Sequence, residues 1–161
     1  MAKIISAYFD LDGCLTTGQF LYDESGKRFK LFGPDDSLAL MALAAYIPVH
    51  IVSGDKRGWD IGATRVTDMG FSLEYMPCRG RVEAIQRKER DLSTVAYMGD
   101  SFTDIRVARS VGFSACPNDA FPDLKTRCSY VCKCNGGMRA VAEVVAEIFD
   151  IIGIGREEML W

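Results

Sequence analysis

Ile4-Ile5-Ser6-Ala7-Tyr8-Phe9-Asp10-Leu11-Asp12-Gly13-Cys14-Leu15-Thr16-Thr17-Gly18 is the stretch from which both the fold and the chemistry of this chain are read. The run from Ile4 to Phe9 is apolar with little alternation, the pattern of a strand covered on both faces. It ends in two carboxylates one residue apart, Asp10 and Asp12, and then a glycine that lets the chain turn sharply. In an extended backbone the two carboxylates share a face. Like charges that close repel, and a divalent cation between them relieves the repulsion. With the cation in place, one carboxylate can attack a phosphorus atom and the other can carry a proton. An acidic pair also ends many strands in plain solvent, so the rest of the chain has to decide.

Outward from this stretch, apolar strands are expected over 48–52, 71–75, 94–98 and 113–116, with a short sixth over 129–131. Helices are expected over 38–46, 56–69, 79–90, 102–111 and 138–152, with a short one over 122–126. Asp36 or Ser37 is the expected cap of the first helix. The helix over 79–90 reads as charged and exposed. The last helix carries an apolar stripe of Ala140, Val141, Val144, Val145, Ile148 and Ile152. Two aromatic-rich runs within 19–32, parted by Asp23-Glu24-Ser25-Gly26-Lys27, read as a β-hairpin. Alternating strands and helices with unalternated strands predict an α/β, Rossmann-like parallel sheet with helices on both faces. Ligands in such sheets bind beyond the strand C-termini. Asp10, Ser53 and Asp100 each close a predicted strand.

The chain has 161 residues, so one domain over 1–161 is expected. Hydrophobic residues make up 48% and charged residues 25%, a balance that can build a core. The net charge of −3 argues against a nucleic-acid partner. No apolar run reaches the ~20 residues that span a bilayer, and nothing near Lys3 reads as a signal peptide. The expectation is therefore a cytoplasmic protein, no membrane partner, and reduced thiols at the six cysteines. Cys128, Cys132 and Cys134 are closely spaced, but C-x3-C-x-C is not a standard zinc spacing. His50, the sole histidine, is expected to be satisfied within its strand.

Phe9-Asp10-Leu11-Asp12-Gly13-Cys14-Leu15-Thr16-Thr17 resembles the first motif of the haloacid dehalogenase (HAD) phosphatases, D-x-D-G-x-[LVI]-x-[DT]. The resemblance implies that Asp10 is a nucleophile forming an aspartyl-phosphate. It implies that Asp12 is the general acid/base and that its backbone carbonyl helps to hold Mg²⁺. Ile51-Val52-Ser53-Gly54 is similar to the second motif, in which a hydroxyl, here that of Ser53, donates to the phosphoryl group. Met98-Gly99-Asp100-Ser101-Phe102-Thr103-Asp104 is similar to the fourth, making Asp100 a metal ligand supported by Asp104 and Ser101. The third motif supplies a basic residue, either Arg81, which opens its helix before a hydrophobic residue, or Arg79.

The gaps between these motifs leave no room for a cap domain. The hairpin, the Gly99–Asp104 run and Cys134-Asn135-Gly136-Gly137-Met138-Arg139-Ala140-Val141 resemble the 3-deoxy-D-manno-octulosonate 8-phosphate (KDO-8-phosphate) phosphatase branch. That resemblance implies a homotetramer in which a neighbour's hairpin, tail (153–161) or Arg139 roofs each site. Asp35-Asp36-Ser37, Asp55 and Met138 depart from the branch, where basic residues would suit a sugar acid's carboxylate; Gly54, Lys56, Arg79 and Arg139 are the candidate substrate contacts. The expected function is a Mg²⁺-dependent phosphomonoesterase for a small phosphorylated sugar or sugar acid. A phosphatase for a nucleotide or macromolecular phosphate, a phospho-accepting regulatory domain and a silent oligomeric partner remain as alternatives.

Overall fold

The first strand, β1 (Ser6–Asp10), is buried at all five positions and lies in the middle of the molecule. Its side chains alternate between two cores, as the period of a strand requires. Ala7 and Phe9 enter one apolar cluster and Tyr8 enters the other. In the computed structural model, which describes residues 3–159, β1 pairs in parallel with β4 (Val49–Ser53) on one side and β6 (Val95–Met98) on the other. With β5 (Leu73–Tyr75), β7 (Phe113–Cys116) and β8 (Tyr130–Val131) they form a six-stranded parallel sheet in the order β5-β4-β1-β6-β7-β8. A separate two-stranded hairpin, β2 (Thr16–Asp23) and β3 (Gly26–Phe32), follows β1 directly. It begins earlier than the aromatic run suggested. Between β4 and β6 the chain holds only α2 (Trp59–Asp68), β5, α3 (Arg81–Lys88) and a short turn, so no cap domain is inserted.

One face of the sheet is covered by α1 (Asp36–Ala44) and α6 (Ala140–Ile152). The apolar stripe of α6 is as expected over Ala140, Val141, Val144, Val145 and Ile148, but Phe149 rather than Ile152 is fully buried there. Burying a phenylalanine fully is worth about 1.5–3 kcal/mol. The opposite face is covered by α3, which contributes Ile85, and by α4 (Ile105–Ala108), which contributes Val107. The short α5 (Pro122–Lys125) places Leu124 in a third cluster.

Several boundaries differ from expectation for local reasons. Asp36 does not cap α1. Asp35 takes the left-handed conformation at the cap position (φ 67°), and Asp36 turns inward to accept from Ala142 N–H at 3.0 Å. One of the orphan donors of the first turn of α6 is thus satisfied by a carboxylate from α1. The second helix starts at Trp59 rather than 56, because Asp55 Oδ1 accepts from the N–H groups of Arg57 and Gly58 and folds that segment into a side-chain-closed turn. The third starts at Arg81, since Gly80 ahead of it is left-handed (φ 82°). The fourth breaks into a tight turn, Phe102–Asp104, and α4. His50 is half-buried rather than in the core. It is satisfied by Glu74 (Nδ1 to Oε1, 2.6 Å) and stacks on Tyr8. The six cysteines are unpaired. No helix among the described residues is long and apolar enough to cross a membrane. The expected docking of the tail's apolar end falls on Leu160 and Trp161, outside the described residues.

Candidate active site

The three central strands end at one edge of the sheet, and that edge forms a cleft of about 430 Å³. Asp10 enters it from the last residue of β1, 7% exposed. After it the chain makes one wide turn, Leu11–Leu15, closed by Thr16 N–H donating to Leu11 C=O. Thr16 Oγ1 accepts from the N–H groups of Gly13 (3.1 Å) and Gly18 (3.2 Å), which pins the turn. Gly13 is needed there twice over. Its φ is +83°, and a Cβ on it would run into the Asp100 carboxylate. Asp12 therefore leaves the strand on a fixed path and faces the same cleft.

Arg81 is the centre of the buried charge. Its side chain is 1% exposed. Nη1 lies 3.1 Å from Asp10 Oδ2, 2.8 Å from Asp104 Oδ1 and 2.7 Å from Tyr97 Oη, and Nη2 donates to the Met76 carbonyl at 3.0 Å. Tyr97 Oη donates to Asp104 Oδ1 at 2.6 Å, and Asp104 Oδ2 accepts from Ser101 N–H at 3.0 Å. Ser101 is the cap of the Phe102–Asp104 turn, and its pairing with Asp104 is reciprocal. Asp104 is thus fully occupied as a support, while Asp10 and Asp100 line the open cleft. Burial pushes the Asp10 carboxyl well above the ordinary range; Arg81 opposes the shift, and Asp104 and Asp100 add to it. Burial, then the charge of Asp104, pushes Asp100 up to about 7. Such shifts arise where carboxylates are buried close to one another.

A hard cation fits this arrangement. Asp10 and Asp100 bring carboxylate oxygens to within 4.8 Å of one another and of Asp104, which is itself committed to Arg81 and Ser101. The donors are all oxygen, as Mg²⁺ requires. Cradle and charge agree, since the glycine at position 13 is what lets Asp100 approach.

Of the expected site residues, Asp10, Asp12, Gly54, Arg81, Asp100 and Ser101 line the cleft together. Ser53, 1% exposed, stands behind them, and its hydroxyl donates to Asp12 Oδ2 at 3.0 Å. Between the two basic candidates the structure brings in Arg81, while Arg79 is exposed and does not line the cleft. Lys56 does not line it either, and lies over the ring of Tyr75 beside Trp59 in a separate hollow. Arg139 pairs with Asp35 (2.5 Å) on the exposed surface, also outside the cleft of its own chain.

Two lysines were not anticipated. Lys27 and Lys30, both on β3, reach into the site. Lys27 Nζ is 2.5 Å and Lys30 Nζ 3.0 Å from Asp55 Oδ2, and Lys30 Nζ is 2.7 Å from Asp12 Oδ1. Burial works against the Asp55 carboxylate, but the two ammonium groups outweigh it and bring its pKa down to about 2. Lys27 also sits 3.4 Å from the centroid of the Phe20 ring. Residues three apart on a strand normally face opposite ways. Here Tyr22 pairs with Lys27 and Leu21 with Phe29, so Arg28 is an extra residue, a bulge that turns both lysines to one side.

No family model matches the chain. It is 30% identical over 152 residues to the 3-deoxy-D-manno-octulosonate 8-phosphate phosphatase KdsC of Haemophilus influenzae, covering 89% of this chain and 82% of that protein. Its fold is similar to the Moraxella catarrhalis KDO-8-phosphate phosphatase solved with magnesium, phosphate and KDO (TM-score 0.82, 26% identity, 93% and 88% of the two chains). It is similar also to the cobalt-bound enzyme of Haemophilus influenzae (TM-score 0.79, 27% identity, 94% and 90%). With three strand-end motifs and the arginine that opens α3 gathered at one edge of the sheet, and likeness over most of both chains, this chain belongs to the KDO-8-phosphate phosphatase family of the HAD superfamily and is a phosphatase.

Proposed function

We propose that this phosphatase hydrolyses a small phosphorylated sugar or sugar acid, of the KDO-8-phosphate class, through an aspartyl-phosphate on Asp10. The observation that carries the reading is the meeting in one cleft of Asp10 and Asp12, at and just after the end of β1, of Asp100, just after the end of β6, and of Arg81, which opens α3. Asp10 attacks phosphorus while Asp12 gives its proton to the leaving oxygen; Asp12 then takes a proton from the water that releases phosphate. Arg81 holds Asp10 in place and offsets the charge that gathers on the phosphoryl oxygens. Ser53 orients Asp12 through its hydroxyl. Asp104 and Ser101 keep Arg81 and the loop after β6 in place. Asp10, Asp100 and the Asp12 carbonyl would hold a divalent cation, Mg²⁺, which supplies Lewis-acid charge neutralisation when bound. The related enzymes solved with magnesium and with cobalt support a divalent metal here.

Phosphate release from KDO-8-phosphate should need Mg²⁺, stop in excess EDTA and return on adding Mg²⁺. Full turnover in EDTA would remove the metal from the mechanism. Turnover confined to nucleotides would move the substrate to another class.

The hairpin supports a further part of the reading. Leu21, Tyr22, Phe29 and Leu31 are each more than half exposed, between 55% and 62%. A lone hairpin seldom leaves so much apolar surface in water. We take a homotetramer built on this hairpin as the working assembly, with a neighbour's Arg139 or tail roofing the cleft. Light scattering at micromolar concentration should give four times the 17.8 kDa chain mass. A monomeric mass in a preparation fully active on a small sugar phosphate would sink the roof.

A further inference from the structure

Lys30 lies in an otherwise exposed stretch of β3, yet its side chain is 0% exposed. Its stem runs past the start of α2. A Cβ on Gly58 would stand 2.7 Å from Lys30 Cε, so the chain has glycine where the lysine passes. The ammonium ends between two carboxylates, 2.7 Å from Asp12 and 3.0 Å from Asp55. Asp12 Oδ2 accepts from the Ser53 hydroxyl and Oδ1 is ion-paired with Lys30, so each oxygen of Asp12 faces one partner, from two different elements. Burying an ammonium is costly unless its partners offset the lost hydration. Anchoring the hairpin accounts for the contact with Asp55, which Lys27 already makes; it does not account for the shorter contact with Asp12.

We propose that Lys30 is a positioning residue for the phosphatase reaction: it fixes the Asp12 carboxyl group in the orientation for proton transfer and makes the hairpin part of the acid–base machinery. This rests on the reading of Asp12 as general acid/base. In the first step the Asp10–phosphorus bond forms, the bond to the leaving oxygen breaks, and the Asp12 proton goes to that oxygen. In the second, water adds to phosphorus, its proton goes to Asp12, and Asp10 leaves. Lys30 exchanges no proton in either step. A misaligned acid hurts most where the leaving oxygen is basic and needs the proton, and least where it departs readily as an anion.

The test is a series of substituted phenyl phosphates, with Mg²⁺ present, on Lys30→Met, Asp12→Asn and the double variant. Well-placed acid–base catalysis is worth about 10²–10⁴-fold, so partial misalignment in Lys30→Met should cost roughly tenfold or more on phenyl phosphate. The loss on p-nitrophenyl phosphate should be much smaller. In the Asp12→Asn background the same substitution should change the rate less than about twofold, because a residue acting through Asp12 is non-additive with it. Equal losses across the series, or additive losses in the double variant, overturn the proposal. Should Asp12→Asn itself show no leaving-group dependence, the acid/base reading falls and takes the Lys30 role with it. A steep Asp12→Asn with a flat Lys30→Met removes Lys30 alone. Lys30→Gln, which keeps a polar donor in the channel, carries the same cycle if the methionine variant does not fold.

Discussion

Asp10→Asn is expected to abolish turnover while leaving the fold intact. The asparagine keeps an oxygen for Leu11 N–H, which donates to Asp10 Oδ1 at 3.1 Å, and it fills the same volume at the end of β1. What it loses is the charged oxygen that would bond to phosphorus. Phosphate monoesters hydrolyse so slowly unaided that enzymes supply up to ~10²¹-fold acceleration. Removing a nucleophile elsewhere costs about 10⁶-fold in kcat, and a loss of that order is expected here. Single-turnover phosphate release with Mg²⁺ present, with circular dichroism as the control for folding, measures it. If more than a tenth of the activity survives, the nucleophile is another group.

Arg81→Met should damage stability and activity together. The substitution leaves Asp104, with a side chain only 1% exposed, and the nearly buried Asp10 without their shared cation, and Tyr97 Oη without a donor. Breaking a buried pair from one side typically costs about 3–5 kcal/mol. For a chain of this size that corresponds to a fall in Tm of roughly 10 °C. Turnover should drop by orders of magnitude, because the same guanidinium restrains Asp10. Arg81→Lys keeps a charge but not the fork that serves Asp10, Asp104 and the Met76 carbonyl at once, so it should recover only part of each loss. Thermal unfolding and phosphate release on the two variants separate the effects. An unchanged Tm in Arg81→Met would contradict the buried network.

Most of the site was legible in the sequence because a parallel sheet collects its strand ends. Once the runs before Asp10, Ser53 and Asp100 read as strands, their side chains had to meet at one edge, and they do. The two arginines, 79 and 81, were indistinguishable in one dimension. The left-handed Gly80 between them starts the helix at Arg81 and sends that side chain inward. The helix that looked solvated therefore opens with one of the most buried side chains in the molecule. Asp36, one of the two expected caps of its own helix, instead accepts from a first-turn N–H of another, a partnership across 106 residues that local pattern does not carry. Lys27 and Lys30 carry no site signal in the sequence, where the hairpin reads by its aromatic residues and Lys27 falls in the turn. A bulge breaks alternation, and nothing in the Lys27-Arg28-Phe29-Lys30 run announces one.

That extra residue, Arg28, bears on how such a protein diversifies. An ordinary substitution exchanges one side chain. Losing or gaining a single codon here would rotate the strand beyond it by half a turn, and Lys27 and Lys30 would no longer face the same way. The sheet would be untouched, since the hairpin is a separate pair of strands. A lineage carrying this fold thus has a route to a different set of charges over the cleft that passes through single-residue changes in strand length, with every strand-end carboxylate left in place.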